Sequence, residues 1–231
     1  MADIFRDRRE AGRLLAGALM QYANQPDVIV LGLPRGGVPV AFEVALALSA
    51  PLDVFVVRKL GTPGNPELAM GAIASGGVRI LNEDAVSRFD IPLEVIDAAT
   101  DEEERELHRR EIAYRGVEAE PEVCGKTVLL IDDGIATGST MRAAIRALFA
   151  RHPARLIVAA PVAAASTCRA IRPQVDDLVL LMTPEDFGEV GQWYEDFSQT
   201  SDAEVTSLLQ RARQFAPASG KSGQDRRRWM P

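Results

Sequence analysis

The chain has 231 residues, 47% of them hydrophobic, enough for one α/β domain with a small addition. A formal net charge of −7 disfavours nucleic acid as the main partner, and no stretch approaches the about 20 apolar residues that span a membrane. Two cysteines (Cys124, Cys168) and two histidines (His108, His152) are too few and too scattered for a zinc site, and they read as buried thiols and surface imidazoles.

Met1 to Arg6 is charged within a few residues and carries no apolar signal region, so a cytoplasmic protein is expected. Asp7-Arg8-Arg9-Glu10 reads as a helix start, with an acid three residues after the cap. Leu14, Leu15, Ala18, Leu19 and Tyr22 are expected to form that helix's apolar face. Residues 28–33 are a continuous apolar run, the pattern of a buried strand. Pro34-Arg35-Gly36-Gly37 is a tight turn, followed by a helix over 38–48 and a second strand over 52–57. This order predicts a βαβ unit in a parallel sheet.

Residues 61–77 are rich in Gly, Pro and small residues and are expected to be a long loop with a short hairpin. A short strand is expected at 78–81 and a charged helix at 93–115. In that helix Glu106 and Arg110 stand i,i+4 with opposite sign, and residues 101–106 read as a solvated face.

The most informative stretch follows. Val128-Leu129-Leu130-Ile131 is a short buried strand, Asp132-Asp133 stand at its end, and Gly134-Ile135-Ala136-Thr137-Gly138-Ser139-Thr140 turns into a helix near Met141. Such a turn leaves backbone N–H groups at a helix N-terminus, where anions bind. A ligand with sugar hydroxyls beside a phosphate needs both the acids and the loop. A plain capped helix, with Asp133 or Thr137 satisfying backbone donors, is the simpler structural alternative. Gly125-Lys126-Thr127 looks like the tail of a Walker A loop, but it precedes the strand and position 120 is Glu. Further strands are expected at 155–161 and 178–182, and helices at 166–171 and 202–215. Beyond Pro217 the composition turns to Gly, Ser and Arg, and disorder is expected.

The stretch over 128–140 resembles the signature by which type I phosphoribosyltransferases bind 5-phosphoribosyl 1-diphosphate (PRPP). The resemblance covers about residues 26–182. It implies a parallel-sheet, Rossmann-like α/β fold with a small hood region, over 1–216, and a flexible tail at 217–231. It implies that Asp132 and Asp133 hold the ribose hydroxyls and that Ala136, Thr137, Gly138, Ser139 and Thr140 hold the 5′-phosphate. By the same resemblance Arg35, Gly36 and Gly37 bind pyrophosphate, in a turn of unusual peptide conformation, with Arg58 and Lys59 helping. Mg²⁺ would be carried by PRPP near the acid pair.

Residues 61–77 occupy the position of the family's flexible loop, and 183–197 that of a base-binding hood, with Trp193 and Tyr194 as stacking candidates. Enzymes acting on hypoxanthine and guanine carry an acid where this chain has Ala136, so the signature looks more like the adenine or orotate style. Gly134, where a larger apolar residue is common, is a second departure. The implied reaction is transfer of the phosphoribosyl group to a nitrogen acceptor such as a nucleobase, with release of pyrophosphate. The competing reading is a non-catalytic PRPP-sensing regulator, touching nucleic acid through Arg226-Arg227-Arg228-Trp229. Similar proteins are often dimers.

Overall fold

The computed structural model describes residues 4–62, 65–116 and 120–215. Its first helix, α1 (Arg8–Ala18), starts where Asp7 accepts a hydrogen bond from the Glu10 N–H at 2.7 Å. Glu10 reaches back to the Arg6 N–H at 2.6 Å. The buried face differs from the expected one: Ala11, Leu15, Ala16 and Leu19 point inward, whereas Leu14 is 54% exposed and Ala18 lies at the surface. Gly12, where a β-carbon would stand 2.8 Å from the Val40 carbonyl oxygen, and the small Ala16 let α1 lie close along the second helix, while Ala11 packs with Phe5 and Val162.

Strand β1 (Val28–Gly32) leads into α2 (Gly37–Leu48) and back to β2 (Leu52–Val54). The strand expected over 52–57 is split. Only its last residue belongs to β3 (Val57–Thr62), which pairs antiparallel with β4 (Asn65–Ala74), itself paired with β5 (Val78–Leu81). The region expected to be a loop at 61–77 is therefore mostly the middle of a three-stranded antiparallel sheet. Backbone pairing outweighs the weak strand propensity of its Gly and Pro residues.

Helix α3 (Glu83–Arg88), capped by Asn82, was not expected; α4 (Leu93–Arg115) spans the range read from the sequence. Then come β6 (Thr127–Ile131), α5 (Ser139–Phe149), β7 (Arg155–Val162), α6 (Ala165–Ile171), β8 (Asp177–Met182) and α7 (Asp202–Arg213).

The main sheet is parallel, in the order β2-β1-β6-β7-β8. Residues on one face, among them Ile29, Leu31, Val128 and Leu130, pack with Met141, Ala144 and Ile145 of α5. Those on the other, Val28, Val30, Leu129 and Ile131, pack with Leu15 of α1 and Val40 and Val44 of α2. Burial on both faces is why these strands read as unbroken apolar runs. After β1 the chain winds toward β2; after β6 it winds toward β7. The sheet thus has its switch point between β1 and β6, where open α/β sheets hold ligands beyond the strand C-termini. Register brings Gly32 beside Ile131, so the two turns that follow leave the sheet side by side.

Cys168 is buried as expected, but Cys124 is exposed. Glu106 pairs with Arg110 at 2.8 Å and with Arg109 at 2.7 Å, a solvated network as read. No helix among the described residues is long and apolar enough to cross a membrane. The tail expected at 217–231 and its Arg226 to Trp229 lie outside the described residues.

Candidate active site

The turn after β1 closes directly onto the acids after β6. A β-carbon on Gly36 would collide with the Asp133 carboxylate. One on Gly37 would stand 2.7 Å from the Ile131 carbonyl oxygen and 2.9 Å from the Asp132 Cα. Only residues without a side chain let these two turns meet, which is the physical content of the paired glycines. The Pro34–Arg35 peptide bond is cis. The half-exposed Arg35 side chain reaches toward α7, its Nη1 3.9 Å from Oδ1 of Asp202 at that helix's start. The Tyr114 hydroxyl donates to the same oxygen at 2.8 Å. Burial, and then that bond to Asp202, push the Tyr114 phenol up to about 12, so it stays a donor.

The two acids are not equivalent. Oδ1 of Asp132 accepts the Asp133 N–H at 2.9 Å. Burial, and then the charge of Asp133, hold the Asp132 carboxyl well above the ordinary carboxylate range. Asp133 gives Oδ2 to Arg8 Nε at 2.7 Å and its backbone carbonyl to the Tyr194 hydroxyl at 2.6 Å. Burial also raises the Tyr194 phenol, which keeps it protonated as that donor.

A group whose folded-state value is raised adds stability below its unfolded value and loses it as pH rises through the folded one. Asp132→Asn is therefore expected to raise the apo protein's thermal midpoint near pH 7, with the gain gone at about pH 3 where both forms are neutral. A gain of about 1 kcal/mol would read as ~2–4 °C for a chain of this size. A lower midpoint for the variant near pH 7 would show that the buried charge is compensated.

From the acids the chain runs through Gly134 and Ile135, which bridges Ala163 beside β7, to the loop before α5. The Ala136 carbonyl accepts from Thr167 Oγ1 at 2.5 Å, fixing the loop's base. Thr137, Ser139 and Thr140 are exposed, with Thr137 Oγ1 3.2 Å from Ser139 Oγ. Gly138, the N-cap of α5, makes no side-chain cap bond, and Thr137 Oγ1 accepts the Ser139 N–H at 3.5 Å. The first-turn amides of such a helix have no internal acceptors and suit a phosphate. Gly134 also finds its reason here: the Val190 side chain fills the space a β-carbon would need, so a larger residue has no room.

Other expected site residues fall elsewhere. Arg58 turns toward α4 and pairs with Glu103 at 2.6 Å. Lys59, on the opposite face of β3 from Arg58, lies one position further along the strand, where the alternation of side chains turns it away from Glu103. Tyr194 offers no open face to a base: it is 5% exposed, packed with Phe5, Ala11 and Val162, with Phe197 at 5.1 Å between ring centroids. Trp193 is half-buried and stacks on Phe187 at 6.2 Å. The aromatic segment over 187–197 thus braces the acid turn and the N-terminal segment at Phe5, through Phe5 N–H to Trp193 carbonyl (2.9 Å) and Glu195 N–H to Phe5 carbonyl (2.8 Å).

Two residues at the site, Arg8 and Asp202, were read from the sequence only as parts of helix starts. A signal for Arg8 existed. A cation in the first turn of a helix opposes the helix dipole, so Arg8-Arg9 after the Asp7 cap marks side chains placed for something other than the helix. Asp202 carries no such signal, because an acid in a first turn is ordinary.

The fold and its switch-point turns define an α/β protein of the phosphoribosyltransferase type. Residues 68–192 match the family model for the phosphoribosyl transferase domain, and the chain belongs to that family. It is 46% identical over 216 residues to a Mycobacterium tuberculosis (strain ATCC 25618 / H37Rv) protein provisionally named a phosphoribosyl transferase, Rv0571c. That match covers 93% of this chain and 48% of the relative, so the chain spans about half the length of the curated relative. A crystal structure of TT1426 from Thermus thermophilus is similar at 40% identity and a TM-score of 0.82, covering 93% of this chain and all of that one. A shorter likeness, 36% over 63 residues, links 27% of this chain to 35% of a bifunctional protein PyrR from Actinobacillus pleuropneumoniae serotype 5b (strain L20).

Proposed function

We propose that this chain transfers the 5-phosphoribosyl group of PRPP to a nitrogen acceptor, releasing pyrophosphate. One observation carries the reading: the Gly36-Gly37 turn and the Asp132-Asp133 pair interlock at the switch point, with the phosphate-type loop continuing from the acids. A phosphate-ribose-pyrophosphate ligand has its three parts in that order. The loop over 136–140 would take the 5′-phosphate, the acids the ribose hydroxyls, and Arg35 with the glycine turn the pyrophosphate.

The bond to pyrophosphate breaks as the acceptor nitrogen adds at the anomeric carbon, and its electron pair leaves with pyrophosphate. No protein nucleophile is needed. The chain's contribution is orientation and charge placement. The oxygen donors of Asp132 and Asp133 fit a hard ion. Mg²⁺ carried by PRPP would come near these two acids and keep several waters. Bound there, the ion would neutralise pyrophosphate charge.

Calorimetric titration with PRPP and Mg²⁺ tests the ligand. Saturable binding, stronger than that of ribose 5-phosphate, is expected because Arg35 adds contacts to pyrophosphate. Equal affinities would remove Arg35 from that role. For the acceptor, position 136 offers a methyl group in place of an acid, so hypoxanthine and guanine are expected to turn over poorly. Efficient hypoxanthine turnover would show that another group supplies the proton transfer.

A further inference from the structure

We propose that Arg8 is a positioning residue for the ribose contact: it holds Asp133 so that a single carboxylate oxygen, Oδ1, faces the ligand. The proposal rests on the ribose assignment above. Arg8 is fixed on three sides. Its Nε donates to Asp133 Oδ2 at 2.7 Å, its Nη1 donates to the Ser198 carbonyl at 2.8 Å, and its guanidinium carbon lies 3.9 Å from the Phe197 ring centroid. The Arg8 and Asp133 side chains are only 11% and 13% exposed.

Asp133 is bound at every other polar atom as well. Its N–H donates to Asp132, its carbonyl accepts from Tyr194, and Oδ2 is taken by Arg8. Among the described residues no N–H donor takes Oδ1, and the Asp132 carboxyl, the other acid of the pair, is the group that meets this carboxylate besides Arg8, so a ribose hydroxyl would meet the two acids together. A carboxylate on a short side chain can rotate and present either oxygen, and the charge-assisted bond to a planar guanidinium removes that freedom. The contact spans 125 positions in sequence, so the N-terminal helix reaches the turn that follows β6. Arg8 as a mere anchor for α1 would not distinguish between ligands.

Arg8→Gln, Arg8→Lys, Phe197→Leu and Asp133→Asn would be titrated with ribose 5-phosphate and with 2,3-dideoxyribose 5-phosphate. Arg8→Gln is expected to weaken ribose 5-phosphate roughly tenfold and the dideoxy compound by less than about twofold, with partial recovery in Arg8→Lys. Phe197→Leu, at a partly exposed ring, should give the same selectivity with a smaller loss, and it serves if Arg8→Gln does not fold. The Arg8→Gln, Asp133→Asn double variant should bind ribose 5-phosphate no more weakly than Asp133→Asn alone. Equal losses for the two ligands, or additive losses in the double variant, would overturn the proposal and leave the ribose site standing. Failure of the wild-type protein to prefer ribose 5-phosphate over the dideoxy compound would overturn the ribose site and the proposal together.

Discussion

Replacing both acids, Asp132→Asn with Asp133→Asn, is expected to abolish most of the stabilisation that PRPP and Mg²⁺ confer while leaving the apo fold intact. A ligand at a hundred times its dissociation constant stabilises by about 2.7 kcal/mol, roughly 5–10 °C in thermal midpoint for a protein of this size. The apo fold should survive because both side chains lie in a turn, outside the clusters that pack the two faces of the sheet. Asn at 133 can still accept from Arg8, and Asn at 132 can still accept the neighbouring N–H. What the variant lacks is negative charge toward the ribose hydroxyls and the ligand's ion. Scanning calorimetry with and without ligand reads the result. An undiminished ligand shift would remove the acids from the ribose site.

Gly36→Ala is expected to be nearly as damaging to binding as loss of the acids, although it adds one methyl group. That methyl group would lie on Oδ2 of the Asp133 carboxylate, the oxygen that Arg8 holds, while Tyr194 fixes the Asp133 backbone carbonyl. Either the turn backs away, carrying Arg35 with it, or the carboxylate rotates out of place. Both outcomes separate the pyrophosphate contact from the ribose contact, and PRPP affinity should fall at least roughly tenfold, about 1.4 kcal/mol. Gly17→Ala is the control. A β-carbon there meets nothing within 4 Å, so this helix position should gain up to about 1 kcal/mol from higher helix propensity and bind PRPP normally. Titration calorimetry and thermal melts separate the two effects. Unchanged PRPP affinity in Gly36→Ala would show that the turns do not act as one site.

The parts of the fold legible in the sequence are those with a local cause. The apolar runs at β1, β6 and β7 declare strands buried on both faces. The acid pair followed by small residues declares a strand–turn–helix, and α4 is recognisable from end to end. What stayed hidden depends on partners distant in sequence. β4 is written in Gly, Pro and Ala, and becomes a strand because β3 and β5 pair with it on either side. Arg58 looks like a ligand cation from its place at a strand, but Glu103 on α4 takes it. Tyr194 looks like a stacking residue in an acidic aromatic segment, yet the N-terminal segment at Phe5 covers it and Asp133 accepts its hydroxyl. Arg8 is the reverse case: a residue with only a weak local signal that lands on the acid pair.

The same contrast limits what a motif can say about the acceptor. In the proposed reading the acids and the loop would meet groups shared by every PRPP-like ligand. The aromatic segment over 187–197, expected to hold a base, instead braces the acid turn through the Tyr194 hydroxyl.

The most direct measurement is pyrophosphate release from PRPP with Mg²⁺, across a panel of purines, pyrimidines and small amides, run beside the Asp132→Asn, Asp133→Asn variant. Acceptor-dependent release by the wild-type protein, lost in the variant, is the predicted result. Tight PRPP binding with no acceptor-dependent release by the wild-type protein would contradict the transferase reading and assign the site to PRPP sensing.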